Sequence, residues 1–411
     1  MTVPDHPGSG FTPSKNVVHL ASTCLQEIWR EIERRRAAGE SVFDLSRDEW
    51  TFESPRGIVD AAAKAFQQGR VAPVEAQGLL DLRAAAAHHF SLMSGGRPVN
   101  ADHVVVANGA RQAVFGACLA LFESGDCVLV PSPLWPPYQD LVRLARAIPI
   151  VIPGDLEWSL KVSAVDLERA SDARTAGLIL GTPVNPTGAV YTRSELKSIL
   201  QWAQSRGVWV IVDESHRRLH FGTGPAPSVL DLPDELLEHV VVVTGFDHAY
   251  ALAGWRVGIA LAPPAVARTM ATLQEHIVGG ASVPAQWAAA AALADERVAA
   301  ELDRMMEELT ERRAQAVAFF RDRLPGVEFV EPLGAQFLFF RVDGFFDGEI
   351  TNAGDLCDRL LVEQGVALAP GQAFGDERWV RLGYGVPGRV LREALERFAG
   401  FTAMLARRET Q

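Results

Sequence analysis

Lysine is almost missing from this chain. Across 411 residues only Lys15, Lys64, Lys161 and Lys197 occur, and arginine carries nearly all of the positive charge. Lysine supplies the side-chain amine that condenses with carbonyls, so imine chemistry is confined to four positions. Cysteine is also scarce. Cys24, Cys118, Cys127 and Cys357 show no metal-type spacing, so they read as buried thiols in a reducing cytoplasm, and neither a disulfide framework nor a metal site is expected. No apolar run approaches the roughly 18–20 residues needed to cross a bilayer, and no signal-peptide pattern opens the chain. A cytoplasmic protein with no membrane partner is the expectation. A net charge of −12 without any Lys/Arg-rich run speaks against nucleic acid as a partner.

Hydrophobic residues make up 48% of the chain and charged residues 22%, the balance of a soluble globular protein long enough for two domains. Residues 1–20 begin with a polar, Pro/Gly-rich stretch and read as a loose arm. From about Ala21 to Ala38, Leu25, Ile28, Trp29 and Ile32 recur at helical spacing. Short apolar runs then alternate with helical stretches. The strand candidates are Val104–Ala107, Cys127–Val130, Ile148–Ile152, Gly177–Leu180, Val208–Val212 and Val240–Thr244. Helix candidates Arg111–Phe122, Pro137–Ala147 and Arg193–Arg206 fall between them. Such alternation implies an α/β fold with a mostly parallel central sheet covered by helices. An alanine-rich helical stretch from Val283 to about Arg321 leads to strands at Gln336–Val342 and Trp379–Leu382 and a last helix near Arg389–Ala406. The expected organisation is a large domain over 48–285, with a smaller α+β domain built from 21–47 and 286–411.

Ligands of such sheets sit at the carboxyl ends of the strands, and the motifs lie there. Gly181-Thr182-Pro183-Val184-Asn185-Pro186-Thr187-Gly188 follows an apolar strand and carries turn chemistry. Val212-Asp213-Glu214 ends the next strand, where an aspartate is also a common cap. Ala107-Asn108-Gly109-Ala110-Arg111-Gln112 opens a helix, whose free N–H groups and positive dipole end suit a phosphate. Pro131-Ser132-Pro133-Leu134-Trp135 offers an aromatic face, with a plain core tryptophan as the alternative. Trp379-Val380-Arg381-Leu382 offers an arginine fork suited to a carboxylate, with a surface salt bridge as the alternative. Thr244-Gly245-Phe246-Asp247-His248-Ala249-Tyr250-Ala251-Leu252-Ala253-Gly254-Trp255-Arg256-Val257-Gly258 follows the last of the strands.

Taken together and in this order, from about residue 45 to 405, these segments resemble the class I/II aminotransferases, pyridoxal phosphate (PLP) enzymes of fold type I. The resemblance implies a role for each matching residue. Gly109, Ala110, Arg111 and Arg256 would hold the phosphate. Trp135 would stack on the pyridine ring, and Asn185 would donate to its phenolic oxygen. Asp213 would pair with the ring nitrogen, keeping the ring able to accept electrons. Arg381 would grip the carboxylate of an amino acid or keto acid. A homodimer is also implied.

Four positions depart from the pattern. His248 occupies the slot of the lysine that forms the Schiff base. Gly245 and Asp247 stand where the family carries serines, and an aspartate beside a phosphate is repulsive unless a cation meets it. His216 stands where a tyrosine is usual. Asp48 also falls in the region of a glycine near the substrate. Histidine cannot make the covalent link, but it moves protons near neutral pH. Some sugar dehydratases of this fold carry histidine in that slot and hold pyridoxamine phosphate (PMP) non-covalently; the chain lacks their motif detail, so they supply the logic alone.

The resemblance therefore implies an enzyme that is not an ordinary transaminase. His248, His216 and Asp247 would be its acid/base groups, in lyase, isomerase or cyclase chemistry, with PLP or PMP bound non-covalently. A cofactor-independent enzyme that reuses the cleft for a carboxylated, possibly aromatic substrate is the first alternative. A non-catalytic binding relative is the second.

Overall fold

The computed structural model describes residues 14, 16–18, 20, 24–48 and 50–408, with side chains to residue 405. Most of the expected N-terminal arm lies outside the described residues. The first helix spans Cys24–Ala37 and buries Leu25, Ile28 and Ile32 on one face, the stripe that the spacing predicts.

The central sheet has seven strands. Their spatial order is Val104–Ala107, Gly258–Leu261, Val240–Gly245, Trp209–Asp213, Thr175–Gly181, Cys127–Ser132 and Ile148–Pro153. Gly258–Leu261 runs against both of its neighbours, while the pairings from Val240–Gly245 through to Ile148–Pro153 are parallel. Successive residues of a strand point to opposite faces. Val104 and Val106 accordingly enter one core with Leu82 and Ala86, and Val105 and Ala107 enter another with Val114 and Met270. Full burial of such a valine contributes roughly 1.5–3 kcal/mol. The sheet is therefore apolar on both faces and covered by helices, the α/β arrangement expected.

The reversed strand Gly258–Leu261 escapes the sequence reading, because four apolar residues after a turn carry no distinctive period. Gly258 matters there: a Cβ on it would lie 2.5 Å from the Ala110 nitrogen and the Gly109 carbonyl carbon. Glycine alone lets this strand pass the start of the neighbouring helix. The alanine-rich stretch is two helices, Val283–Ala294 and Glu296–Arg323, rather than one. Asp295 breaks it, with extended backbone and a side chain that accepts from the Arg297 N–H, which is N-cap chemistry.

A second sheet of four strands orders Ala369–Pro370, Trp379–Gly383, Phe337–Arg341 and Phe329–Val330. Its register sets Arg381 opposite Phe339. One face packs with the terminal helix through Phe340, Leu382 and Phe398. The loops at the carboxyl ends of the large sheet border a cleft, whose lining is met through His248 by Gln336, just before the Phe337 strand, and through Asn185 by Arg381 of the Trp379 strand.

Candidate active site

The cleft encloses about 110 Å³. Asp48, Ala110, Arg111, Trp135, Asn185, Asp213, His216, Asp247, His248 and Arg256 all line it. Nine of these were candidates from the sequence; Asp48 was noted only as a departure. Gly109 lies immediately behind, where a Cβ would come within 2.3 Å of Arg256 Nη2; its φ of +83° is one glycine tolerates. Arg381 reaches the same place from below through Asn185. No lysine is among the described residues of the lining.

Asp213 is held from both sides. Its Oδ1 accepts from the Ser215 N–H at 3.0 Å and the Ser215 hydroxyl at 2.5 Å. Its Oδ2 accepts from the Tyr138 hydroxyl at 2.9 Å. Burial and the Asp213 charge push the Tyr138 phenol well above its usual range, so it stays a donor. Tyr138 meets Trp135 edge-on with ring centroids 5.2 Å apart, and the Arg111 guanidinium lies 4.9 Å from the Trp135 ring. Trp135 is thus a half-buried wall of the cleft rather than a core residue.

Asn185 donates to Asp48 Oδ2 at 3.2 Å and accepts from Arg381 Nη1 at 2.9 Å. Arg381 is fully buried. Its Nη2 donates to the Ser46 carbonyl at 2.7 Å and forms an ion pair with Asp48 Oδ1 whose angles do not make a hydrogen bond. Phe337 and Phe374 sandwich its guanidinium, 4.4 and 4.7 Å from the ring centroids. The surface salt bridge weighed for Arg381 is therefore excluded.

The two histidines stack, centroids 4.5 Å apart and planes 15° from parallel. Burial, then the charges of His248 and Arg381, hold His216 well below the usual histidine range. It is neutral, and its Nε2 is buried without a partner. His248 Nδ1 lies 3.2 Å from Gln336 Nε2. The same Gln336 amide donates to the Asp48 carbonyl, which fixes its orientation as a donor. His248 Nδ1 must then accept, leaving the hydrogen of neutral His248 on Nε2.

Helix Ala110–Leu121 starts beside Arg256 with no side-chain cap. Arg256 adopts left-handed backbone, φ 53° and ψ 60°, unusual without glycine and often tied to a site. Its Nη1 donates to Asp247 Oδ2 at 2.9 Å and to the Ala253 carbonyl at 3.1 Å. Burial raises the Asp247 carboxyl above its usual range, against the pull of His248 and Arg256.

The sequence pattern of the family described as "Aminotransferase class I and II" matches residues 40–398. The chain belongs to the class I and II aminotransferases. An aspartate aminotransferase from Streptomyces avermitilis is 35% identical over 370 residues, 88% of this chain and 89% of the relative. A bifunctional aspartate aminotransferase and glutamate/aspartate-prephenate aminotransferase from Petunia hybrida is 34% identical, covering 88% and 76%. The structure of Thermus thermophilus aspartate aminotransferase with maleate superposes with a TM-score of 0.88 at 28% identity, over 95% of this chain and 99% of that one. The aminotransferase fold type I expected from the sequence is the fold of this chain.

The family is PLP-dependent, so PLP or PMP is the group to test against these residues. Trp135, Asp213, Asn185 and the unpartnered His216 Nε2 fit a flat ring with a polar edge. The phosphate end does not fit. The arginine beside the uncapped helix already holds a carboxylate, and the other oxygen of that carboxylate, Asp247 Oδ1, is buried without a partner. A phosphate dianion placed there would meet a like charge at contact distance.

Sequence reasoning missed Gln336 and Tyr138. Tyr138 stands three residues after Trp135, a visible spacing whose use was not. Gln336 carried no signal, because it arrives from the second sheet. No described helix is long and apolar enough to cross a membrane. No group of three or more His, Cys, Asp or Glu among the described residues could hold a metal ion.

Proposed function

We propose that this aminotransferase-family chain is an enzyme of acid–base chemistry, moving a proton at a carbon beside a carbonyl in a small planar substrate. The observation that carries the reading is the stacked His216–His248 pair in a cleft whose described lining holds no lysine. By the resemblance, His248 fills the slot of the Schiff-base lysine.

The two rings divide the work. His216, neutral and with a buried, unpartnered Nε2, accepts the proton from carbon. His248 presents Nε2–H and donates to the developing enolate oxygen, because Gln336 occupies its Nδ1. Asn185 and Asp213 orient the polar edge of the substrate, and Trp135 covers its face. Asp247 holds Arg256 rather than serving as a third acid/base group. Arg256 engaged by Asp247 favours the cofactor-independent reading over non-covalent PLP or PMP. A non-catalytic relative gives no account of why His216 keeps a buried nitrogen unpartnered, at a cost of about 1–3 kcal/mol.

The test pairs a spectrum with an exchange reaction. PLP added to the protein should give no band that borohydride fixes to the chain. In D2O, a panel of keto acids, amino acids including aspartate, and their amides is followed by mass spectrometry. At least one compound should take up deuterium beside its carbonyl, and His248→Gln should slow this by roughly 100-fold or more. Amino transfer that depends on PLP and survives His248→Gln would overturn the proposal, as would a panel in which nothing exchanges.

A further inference from the structure

Arg256 lines this cleft and Arg381 bonds Asn185 of its lining, and each of the two is already met by a carboxylate of the same chain; Arg111, the other arginine of the lining, lies over the Trp135 ring. Arg256 donates to Asp247 at 2.9 Å. Arg381, fully buried, pairs with Asp48. The carboxylates come from different places, one from the loop after strand Val240–Gly245 and one from the segment after the first helix. Both are largely shielded, with side chains 14% and 18% exposed. An incoming anion would have to displace them or share the cation with them; that cost is paid at low dielectric at the fully buried Arg381 and is smaller at Arg256, whose side chain is 46% exposed.

We infer that the cleft takes a planar ligand bearing neither a phosphate nor a free carboxylate, such as a cyclic ketone, amide or amine, because the chain's own Asp247 and Asp48 already occupy Arg256 and Arg381. This rests on the acid–base reading above and names its substrate class. It departs from the expectation that Arg381 grips a substrate carboxylate. Trp135 remains the face for the ring, and the uncharged edge is read by Asn185 and the histidine pair. The cavity of about 110 Å³ has room for one small ring.

Matched probes that differ only in the anion test this. Pyridoxamine is compared with pyridoxamine 5′-phosphate, and benzamide with benzoate, by calorimetry on the full chain. Wild type should bind the member without the anion at least as tightly in each pair. Asp247→Ser should shift preference toward pyridoxamine 5′-phosphate by tenfold or more, and Asp48→Gly should shift it likewise toward benzoate. Thermal melting checks that each variant is folded; Asp247→Asn and Asp48→Asn replace any that is not and carry the same expectation.

The inference is overturned if wild type prefers the anionic member of either pair by tenfold or more. It is equally overturned if the folded variants gain no anion preference, including the case in which they bind no probe. The two ideas are read separately: deuterium exchange tests the reaction, and the anion preferences of wild type and of the aspartate variants test the ligand class. Loss of exchange chemistry in wild type with the predicted probe preferences would sink the reaction and spare the ligand class.

Discussion

The Arg381–Asp48 pair yields a stability prediction that can be worked from its surroundings. Arg381→Met removes a fully buried guanidinium that holds Asn185 and the Ser46 carbonyl. Breaking a buried pair by deleting one partner costs about 3–5 kcal/mol. Asp48 keeps 18% of its side chain exposed, so water reaches the stranded carboxylate and the lower end of that range applies. The two stacked phenylalanines lose their cation, at about 0.5–2 kcal/mol each, and methionine sulfur returns part of that. The expected loss is therefore about 3–4 kcal/mol. Asp48→Ala alone should cost about 3 kcal/mol, the low end of the same range, because the stranded arginine keeps the Asn185 and Ser46 oxygens. The double variant should fall short of the sum by about 2 kcal/mol, because each single change already destroys the pair. Urea denaturation followed by tryptophan fluorescence measures all three. A coupling below about 0.5 kcal/mol would show that the pair does not hold this part of the fold, and Asp48 would no longer count as the occupant of Arg381.

Two further outcomes are expected. Burial, then Arg217 and Arg218, lowers His89 from 6.5 to about 4. The unfolded chain takes up that proton near 6.5 and the folded chain only near 4, so stability falls as pH drops between those values and the contribution is flat below. The loss is at most about 3 kcal/mol, His216 acts in the same direction, and His89→Gln should visibly flatten the acid limb of melting temperature against pH. Gln336→Glu places an acceptor where His248 Nδ1 now accepts. Spectra of 15N-labelled histidine should show Nε2–H in wild type and Nδ1–H in the variant, a reversal of roughly tenfold or more; an unchanged tautomer would remove the basis for calling His248 the donor.

The alternation of apolar runs and helices made the large sheet legible, because burial on both faces demands continuous apolar strands such as Val104–Ala107. The reversed strand was not, since direction is set by connections and not by residue type. At the site, Asn185, Asp213 and the 245–256 loop could be placed at strand ends, and the resemblance to the class I/II aminotransferases assigned them to one cleft. Partnerships were not readable. That Asp247 takes Arg256, that Asp48 takes Arg381, and that Gln336 fixes a histidine tautomer depend on side chains brought from separate elements. Sequence spacing holds no record of such approaches. The break at Asp295 was visible in principle, as a capping residue inside a helical run.

The face-to-face histidines have a consequence for how many protons the cleft can carry. Two positive rings 4.5 Å apart would repel by about 4 kcal/mol at an effective dielectric of 20. A stack this close therefore disfavours a second positive ring once one is charged. A stack of this kind is a single-occupancy proton store: one ring must lose its proton before the other can load one. On the acid–base reading proposed above, the loading of the two rings is ordered by repulsion alone, with no moving part.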